Sequence, residues 1–323
     1  MQSPLAHPIG PMLHVKHPQE RPLSPNKPAA NKSTLPICDY ENSTYRTDFW
    51  EGRGREYEDL VERIALRRLL PPSGARLLDI GAGFGRLSDL YAGYEQVILL
   101  DYSRSQLAHA RQRLGDERFV YVVADIYRLP LASNAVDTTV MVRVLHHLVD
   151  VPLAFGHIQR VTRPNGAFVL EFANKRHLKN IARWLVGRGV NPFERAPYAF
   201  AELHFDFHPA WVRETLEASG LVVERRLSVS LLRSGWLKRH VPARTLAAVD
   251  GALQRITAPC TPAPSVFVRS RVDKPGDASV VARARLFRCP TCGHEPLDPA
   301  EGGLHCDSCG AHWPVEDGLY LFK

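Results

Sequence analysis

The chain has 323 residues, 45% hydrophobic and 23% charged, with a formal charge of +7. Such a composition supports a sizeable core without a disulfide scaffold. No apolar run reaches the ~18 residues of a membrane helix, and the N-terminus lacks the apolar segment of a secretory signal.

Residues 1–36 are rich in Pro, Ser, Asn and Lys without apolar periodicity and are expected to stay disordered. Tyr57, Leu60, Val61, Ile64, Ala65 and Leu69 then recur at helical spacing until Pro71 and Pro72 stop the helix. A strand over 76–80 leads through a glycine-rich turn into a helix containing Leu87 and Leu90. Strands at 97–101, 119–124 and 136–142 alternate with a helix at 106–114. A helix at 152–161 and a turn at 163–166 precede a strand at 167–172. After a long irregular stretch come a helix at 210–219 and strands at 222–229 and 265–272, parted by a helical insertion. This alternation predicts an α/β, doubly wound, mostly parallel sheet, interrupted by insertions at about 174–207 and 231–264.

Leu77-Leu78-Asp79-Ile80-Gly81-Ala82-Gly83-Phe84-Gly85-Arg86 runs from strand into helix. Glycines at such a turn allow positive φ and let a ligand lie against the backbone. A dinucleotide fingerprint wants a third glycine at the sixth position, where Arg86 stands. The spacing instead resembles the first motif of class I S-adenosylmethionine-dependent methyltransferases. Asp101 ends the next strand, 20 positions after Gly81. The resemblance implies that it binds the ribose hydroxyls, that Asp125 recognises the adenine amino group, and that Tyr102 and Ile126 flank the ring. Arg143 opens the family's motif after the fourth strand, and Asn165 stands where a glycine is usual before the fifth. The resemblance covers about residues 57–230, more weakly to 272, and implies a Rossmann-like, seven-stranded sheet with an antiparallel last strand. Cofactor contacts are thus expected from Asp79, Gly81, Ala82, Gly83, Gly85, Asp101, Tyr102, Asp125, Ile126 and Arg143.

Cys289, Cys292, Cys306 and Cys309 form two CxxC pairs 13 residues apart. Two such knuckles place four thiolates around one structural Zn²⁺ with no open position, in keeping with a reducing, cytoplasmic compartment. The tail resembles the small zinc-ribbon activator domain of tRNA and protein methyltransferases, which implies a stabilising role or a protein partner. The expected division is a methyltransferase domain over 37–275 and a ribbon over 286–323. Cys38 and Cys260 are isolated.

A methyl acceptor bearing O–H or N–H must lose a proton. His147 and His146 follow the fourth strand and are the candidate bases, with His147 facing substrate. Glu171 in the fifth strand and the segment 204–208, read as part of a lid, are further candidates. From 172 to 285 there are 19 basic and nine acidic residues, whereas 286–323 holds two against six. The basic insertions, interleaved with aromatics, suit a lipid-bearing membrane surface, a phosphorylated metabolite or RNA. A small-molecule or lipid-like acceptor is the leading expectation. Nucleic acid comes second, ranked down by the acidic ribbon, and a non-catalytic adaptor third.

Overall fold

The computed structural model describes residues 35–43 and 54–323; residues 1–34 of the segment expected to be disordered lie outside them. In chain order the elements are α1 (Glu56–Leu69), β1 (Gly74–Ile80), β2 (Tyr94–Asp101), α2 (Arg104–Leu114), β3 (Phe119–Ala124), β4 (Val136–Met141) and α3 (Val151–Val161). There follow β5 (Thr162–Ala173), α4 (Leu178–Leu185), β6 (Tyr198–Ala201), β7 (His204–Asp206), α5 (Pro209–Ala218), β8 (Leu221–Val229), α6 (Gly235–His240), α7 (Ala243–Ile256) and β9 (Ser265–Val272). Four short strands close the chain: β10 (Asp298–Ala300), β11 (Gly303–His305), β12 (His312–Glu316) and β13 (Leu319–Phe322).

The helix ends follow local chemistry. The Ser103 hydroxyl accepts from Gln106 N at 3.3 Å to start α2, and Gly115, at φ 73°, ends it. Asp150 caps α3 by accepting from Leu153 N at 2.9 Å. The helix expected through Leu87 and Leu90 is only a 3₁₀ turn, Ser88–Tyr91. Glycines at 85 and 93 leave too few residues between them for a stable α-helix. The turn expected at 163–166 is continuous with β5, and Asn165 takes φ 58° there, a conformation Asn tolerates.

One eleven-stranded sheet runs in the order β10-β11-β12-β13-β3-β2-β1-β4-β5-β9-β8. The seven strands from β3 to β8 in that order have the Rossmann-like arrangement, with β1 to β5 parallel and β9 antiparallel to both β5 and β8. Alternation sends side chains to opposite faces. Leu78, Ile98 and Val120 pack beneath α3 and α5, while Leu77, Val97 and Tyr121 pack beneath α1, α2 and α7.

The C-terminal strands are continuous with this sheet. β13 pairs in parallel with β3, from Leu319 opposite Tyr121 to Phe322 opposite Ala124. Leu286, Phe287, Leu297 and Phe322 join the same apolar cluster as the strand residues Leu78 and Val122.

Candidate active site

A cavity of about 680 Å³ opens at the C-terminal ends of β1 to β5, where open α/β sheets bind ligands. Gly81 and Gly83 stand at φ 72° and 52°. A Cβ on Gly81 would lie 2.1 Å from Val144 Cγ2, so the loop packs hard against the turn after β4. A Cβ on Gly83 would meet nothing within 4 Å, and that gap is the space a ligand can occupy.

Asp101 joins the loop to β2. Its Oδ2 accepts from Gly83 N at 2.8 Å and its Oδ1 from Ser103 N at 2.9 Å. A carboxylate oxygen has two acceptor sites, so capacity remains for two hydroxyls of a diol. Burial raises its pKa above the ordinary value, opposed by the Ser103 and Gly83 N–H groups. Asp79 lies deeper, accepts from Tyr91 OH at 2.9 Å, and is pushed up to about 7 by burial.

Behind the loop, α1 supplies Glu62, which is 1% exposed. It pairs with Arg86 at 2.7 Å and with Arg143. Burial opposes its charge, but Arg143 and Arg86 outweigh that and hold its carboxyl below the usual range. Arg143 is a non-glycine residue at φ 61°, a conformation that costs about 1–3 kcal/mol. Its backbone N–H donates to Glu171 Oε2 at 2.9 Å, and Ser265 Oγ donates to Glu171 Oε1 at 2.6 Å. The buried Glu171 carboxyl is raised by desolvation.

The opposite wall is imidazole and aromatic. The rings of His146 and His147 lie 4.0 Å apart, and His204 meets His147 edge-on at 4.8 Å. Phe200 lies 5.7 Å from His204. The two histidines after β4 differ. His147 Nδ1 stands 2.9 Å from Leu203 O, and its Nε2 3.2 Å from Tyr40 OH. A carbonyl can only accept, so Nδ1 carries the hydrogen and Nε2 accepts from the tyrosine. Among the described residues, no hydrogen bond engages the His146 ring. Burial, reinforced by His147 and Arg143, drives its pKa well below the ordinary value, so it stays neutral.

Of the residues expected from sequence, Asp79, Gly81, Ala82, Gly83, Asp101, Tyr102, Ile126, Arg143, His146 and His147 all line this cavity. Gly85 does not; an added Cβ there would face Leu114 Cδ1 and Ser88 Oγ, both at 3.0 Å. Asp125 also falls outside the lining, where it caps the turn after β3 by accepting from Tyr127 N at 2.8 Å. The segment 204–208 forms half of the β6–β7 hairpin and brings His204 to the cavity.

Sequence reasoning passed over Tyr40, which lines the cavity, and Glu62, which holds the lining residues Arg86 and Arg143. Tyr40 sits in the strap 35–43, tied to α2 where Ser103 Oγ donates to Glu41 at 3.0 Å; nothing in its sequence marks it. Glu62 had a signal. Glu58 and Glu62 fall on the buried stripe of α1 with Ala65 and Leu69, and a carboxylate there needs a buried cation.

The cysteines form a separate cluster. The four Sγ atoms lie within 4.8 Å of one another, with Cys289 and Cys309 at 3.7 Å and Cys292 and Cys306 at 3.5 Å. A tetrahedral Zn–S₄ centre has sulfurs about 3.8 Å apart, so the cluster is consistent with a zinc site.

A family model described as a methyltransferase domain matches residues 78–170. A "probable S-adenosylmethionine-dependent methyltransferase" of Mycolicibacterium smegmatis is 30% identical over 205 residues, covering 62% of this chain and 68% of the relative. The chain belongs to the S-adenosylmethionine-dependent methyltransferases. The malonyl-[acyl-carrier protein] O-methyltransferase of Pectobacterium atrosepticum is 38% identical over 33% of this methyltransferase and 42% of that protein. The demethylmenaquinone methyltransferase of Clavibacter sepedonicus is 33% identical over 35% and 47%. The chain thus spans about two thirds of the first relative and under half of the other two. An S-adenosylmethionine-dependent methyltransferase structure from Mesorhizobium loti matches with a TM-score of 0.50 at 23% identity, over 67% of this chain and 99% of that one, and shows the shared fold. Among the described residues no helix is long and apolar enough to cross a membrane.

Proposed function

We propose that this methyltransferase acts on a small, lipid-like acceptor held against His146. The observation that carries the reading is that one cavity has two unlike walls, the Gly81–Gly83 loop with Asp101 on one side and imidazole with Phe200 on the other. The names of the relatives, malonyl-[acyl-carrier protein] and demethylmenaquinone methyltransferases, point the same way. The insertions' basic residues keep RNA as the second reading.

S-adenosylmethionine supplies an electrophilic methyl carbon on a sulfonium. In this reading Asp101 accepts from the ribose hydroxyls, Tyr102 and Ile126 flank the adenine, and the space over Gly83 admits the backbone-hugging part of the ligand. Asp79, Gly81, Ala82 and Arg143 shape that wall, with Asp125 reached past the turn it caps. A ring nitrogen of His146 would take the proton of the acceptor O–H or N–H as that atom bonds to the methyl carbon and the carbon–sulfur bond breaks, the electron pair leaving with S-adenosylhomocysteine. His147, whose ring nitrogens are already bonded, holds the His146 ring in place. The four cysteines hold a structural Zn²⁺ in a ribbon over 286–323, beside a catalytic domain over 37–275.

Calorimetric titration with S-adenosylmethionine and S-adenosylhomocysteine, followed by labelled-methyl transfer to quinol, lipid and RNA pools, tests the reading. His146→Gln is expected to lower kcat about 10²-fold with cofactor affinity unchanged. Because the His146 pKa is depressed, the neutral base persists as pH falls, so kcat should hold from pH 8 to about 6.5, the ordinary histidine value. A rate that titrates away with a midpoint above that value, or label appearing in RNA alone, would sink it.

A further inference from the structure

Both insertions leave apolar surface in solvent. α4 and α6 bury none of their residues. Leu178 is 57% exposed, Leu185 70% and Val186, directly after α4, 69%. Leu178, Ile181, Ala182 and Leu185 follow the spacing of one helical face. Scattered exposed apolar residues mean little. Here, however, ten of the fourteen large ones among the described residues fall within the two insertions.

The same segments are mainly basic, and their four acids, Glu194, Glu202, Asp206 and Asp250, fall in the second part of each. Residues 174–193 and 231–249 contain nine Lys and Arg and no Asp or Glu. Some of these are committed: Lys175 Nζ donates to Ala196 O at 2.6 Å, and Lys238 and Arg233 both meet Glu58. Lys179, Arg183, Arg188, Arg239 and Arg244 make no ion pair among the described residues. The insertions also form the cavity rim, through His177, Phe200 and Arg233.

We infer that the two insertions, α4 with its following loop and α6, which both adjoin the cavity rim, dock on an anionic lipid bilayer with the cavity mouth at the interface. The inference rests on the reading of a lipid-like acceptor. Aliphatic groups beside unpaired cations match an acyl boundary beneath anionic headgroups. The exposed aromatics of the same insertions, Trp184, Phe193, Tyr198, Phe200 and Trp236, suit a membrane-interface belt as well as base stacking, whereas Leu178, Leu185 and Val186 suit only the acyl boundary. An acceptor dissolved in the bilayer then reaches His146 without crossing water.

The test uses the full chain with phosphatidylglycerol vesicles and with phosphatidylcholine vesicles, followed by sedimentation. Binding is expected to phosphatidylglycerol and to be at least tenfold weaker to phosphatidylcholine. Lys179→Gln and Arg183→Gln should each weaken it about fivefold, and Leu185→Asp should abolish it. Because α4 buries nothing, all three variants should keep the parent's Tm and its S-adenosylmethionine affinity. No sedimentation by a chain that binds S-adenosylmethionine overturns the inference, as does binding indifferent to Leu185→Asp. It is equally overturned if Leu185→Asp changes only RNA binding or only self-association. Vesicle binding with the expected sensitivities, but no label in any lipid, upholds the docking face and removes the lipid-like acceptor instead.

Discussion

The two flanks of the seven Rossmann-like strands, β8 and β3, meet the same hazard, an open row of backbone donors and acceptors, by different means. β8 protects itself. Its middle carries Glu224 and Arg225 in solvent, and Glu224 reaches across to Arg269 and Arg271 on β9. β3 has no such protection, because Phe-Val-Tyr-Val-Val-Ala is apolar throughout and buried along its whole length. It is covered by β13, and the sheet then runs outward to β10, three exposed residues centred on Pro299. A short strand bearing proline is a poor template for further pairing. The C-terminal strands therefore replace a sticky edge with a blunt one, and they belong to the catalytic fold as much as to the cysteine cluster.

The largest expected effect is to remove that cover. Truncation after Arg285 uncovers β3 and takes Leu286, Phe287, Leu297 and Phe322 from the core cluster. Their burial contributes roughly 6–12 kcal/mol, comparable to the whole ~5–15 kcal/mol of a typical net stability, so the shortened chain should be recovered as aggregate in size-exclusion chromatography. A soluble, S-adenosylmethionine-binding remnant would break the comparison. The converse change at the other flank, Arg225→Ala, should shift stability by no more than about 0.5 kcal/mol.

Next comes metal removal. The cluster stands between Phe287 and β12 in sequence, and a zinc ion bound there would hold its two CxxC pairs together. Cys306→Ser or chelation should cost about 4 kcal/mol, roughly 10 °C in Tm. Cofactor affinity should fall along with it, since β13 supports β3 and β3 leads to Ile126. A drop in Tm with unchanged affinity would show that the ribbon melts alone.

This coupling was the part least legible in sequence. The order of strands, the glycine loop and Asp101 could be read because each rests on local chemistry: apolar runs, positive-φ glycines, an acid at a strand end. The cysteine spacing marked a four-thiol cluster consistent with a zinc site but carried no information about docking, since the Leu-Tyr-Leu-Phe of β13 reads as any short strand. Its pairing with β3, nearly 200 residues away, is a matter of tertiary complementarity. The same holds for Tyr40 against His147 and for the distinction between the two histidines, which depends on the carbonyl of Leu203 in a distant hairpin. Asp125, which stands where an adenine contact is expected, also caps the turn after β3 through one carboxylate oxygen, a second use that its position in the sequence does not show.

Asp101→Ala separates loss of the site from loss of the edge. It removes an acceptor for the loop and for two hydroxyls, and should weaken S-adenosylhomocysteine binding by about 2 kcal/mol. It leaves β13 on β3, and with that carboxylate partly desolvated in the folded chain, Tm should change little. Calorimetry and a melting curve on the same sample decide the matter. Unchanged affinity would remove Asp101 from the cofactor wall.

The smallest effect is the most specific to the joined edge. Lys323, one residue beyond β13, donates to Tyr102 O at 2.7 Å and lies 4.2 Å from the centre of the Tyr102 ring. Tyr102 lines the cavity next to Asp101. A hydrogen bond and a cation over an aromatic face contribute about 1 kcal/mol each at most when exposed. Lys323→Ala should therefore weaken S-adenosylmethionine binding several-fold, by about 1 kcal/mol, while Tm stays within the scatter of surface substitutions. Removing a charge from the far edge by Arg226→Ala should leave affinity untouched, because β8 ends on no residue beside Tyr102. Lys323→Arg, which keeps the cation and a donor, should recover most of the loss. If Lys323→Ala and Arg226→Ala have equal effects on affinity, the tail acts only by covering β3, and the contact with Tyr102 adds nothing to cofactor binding.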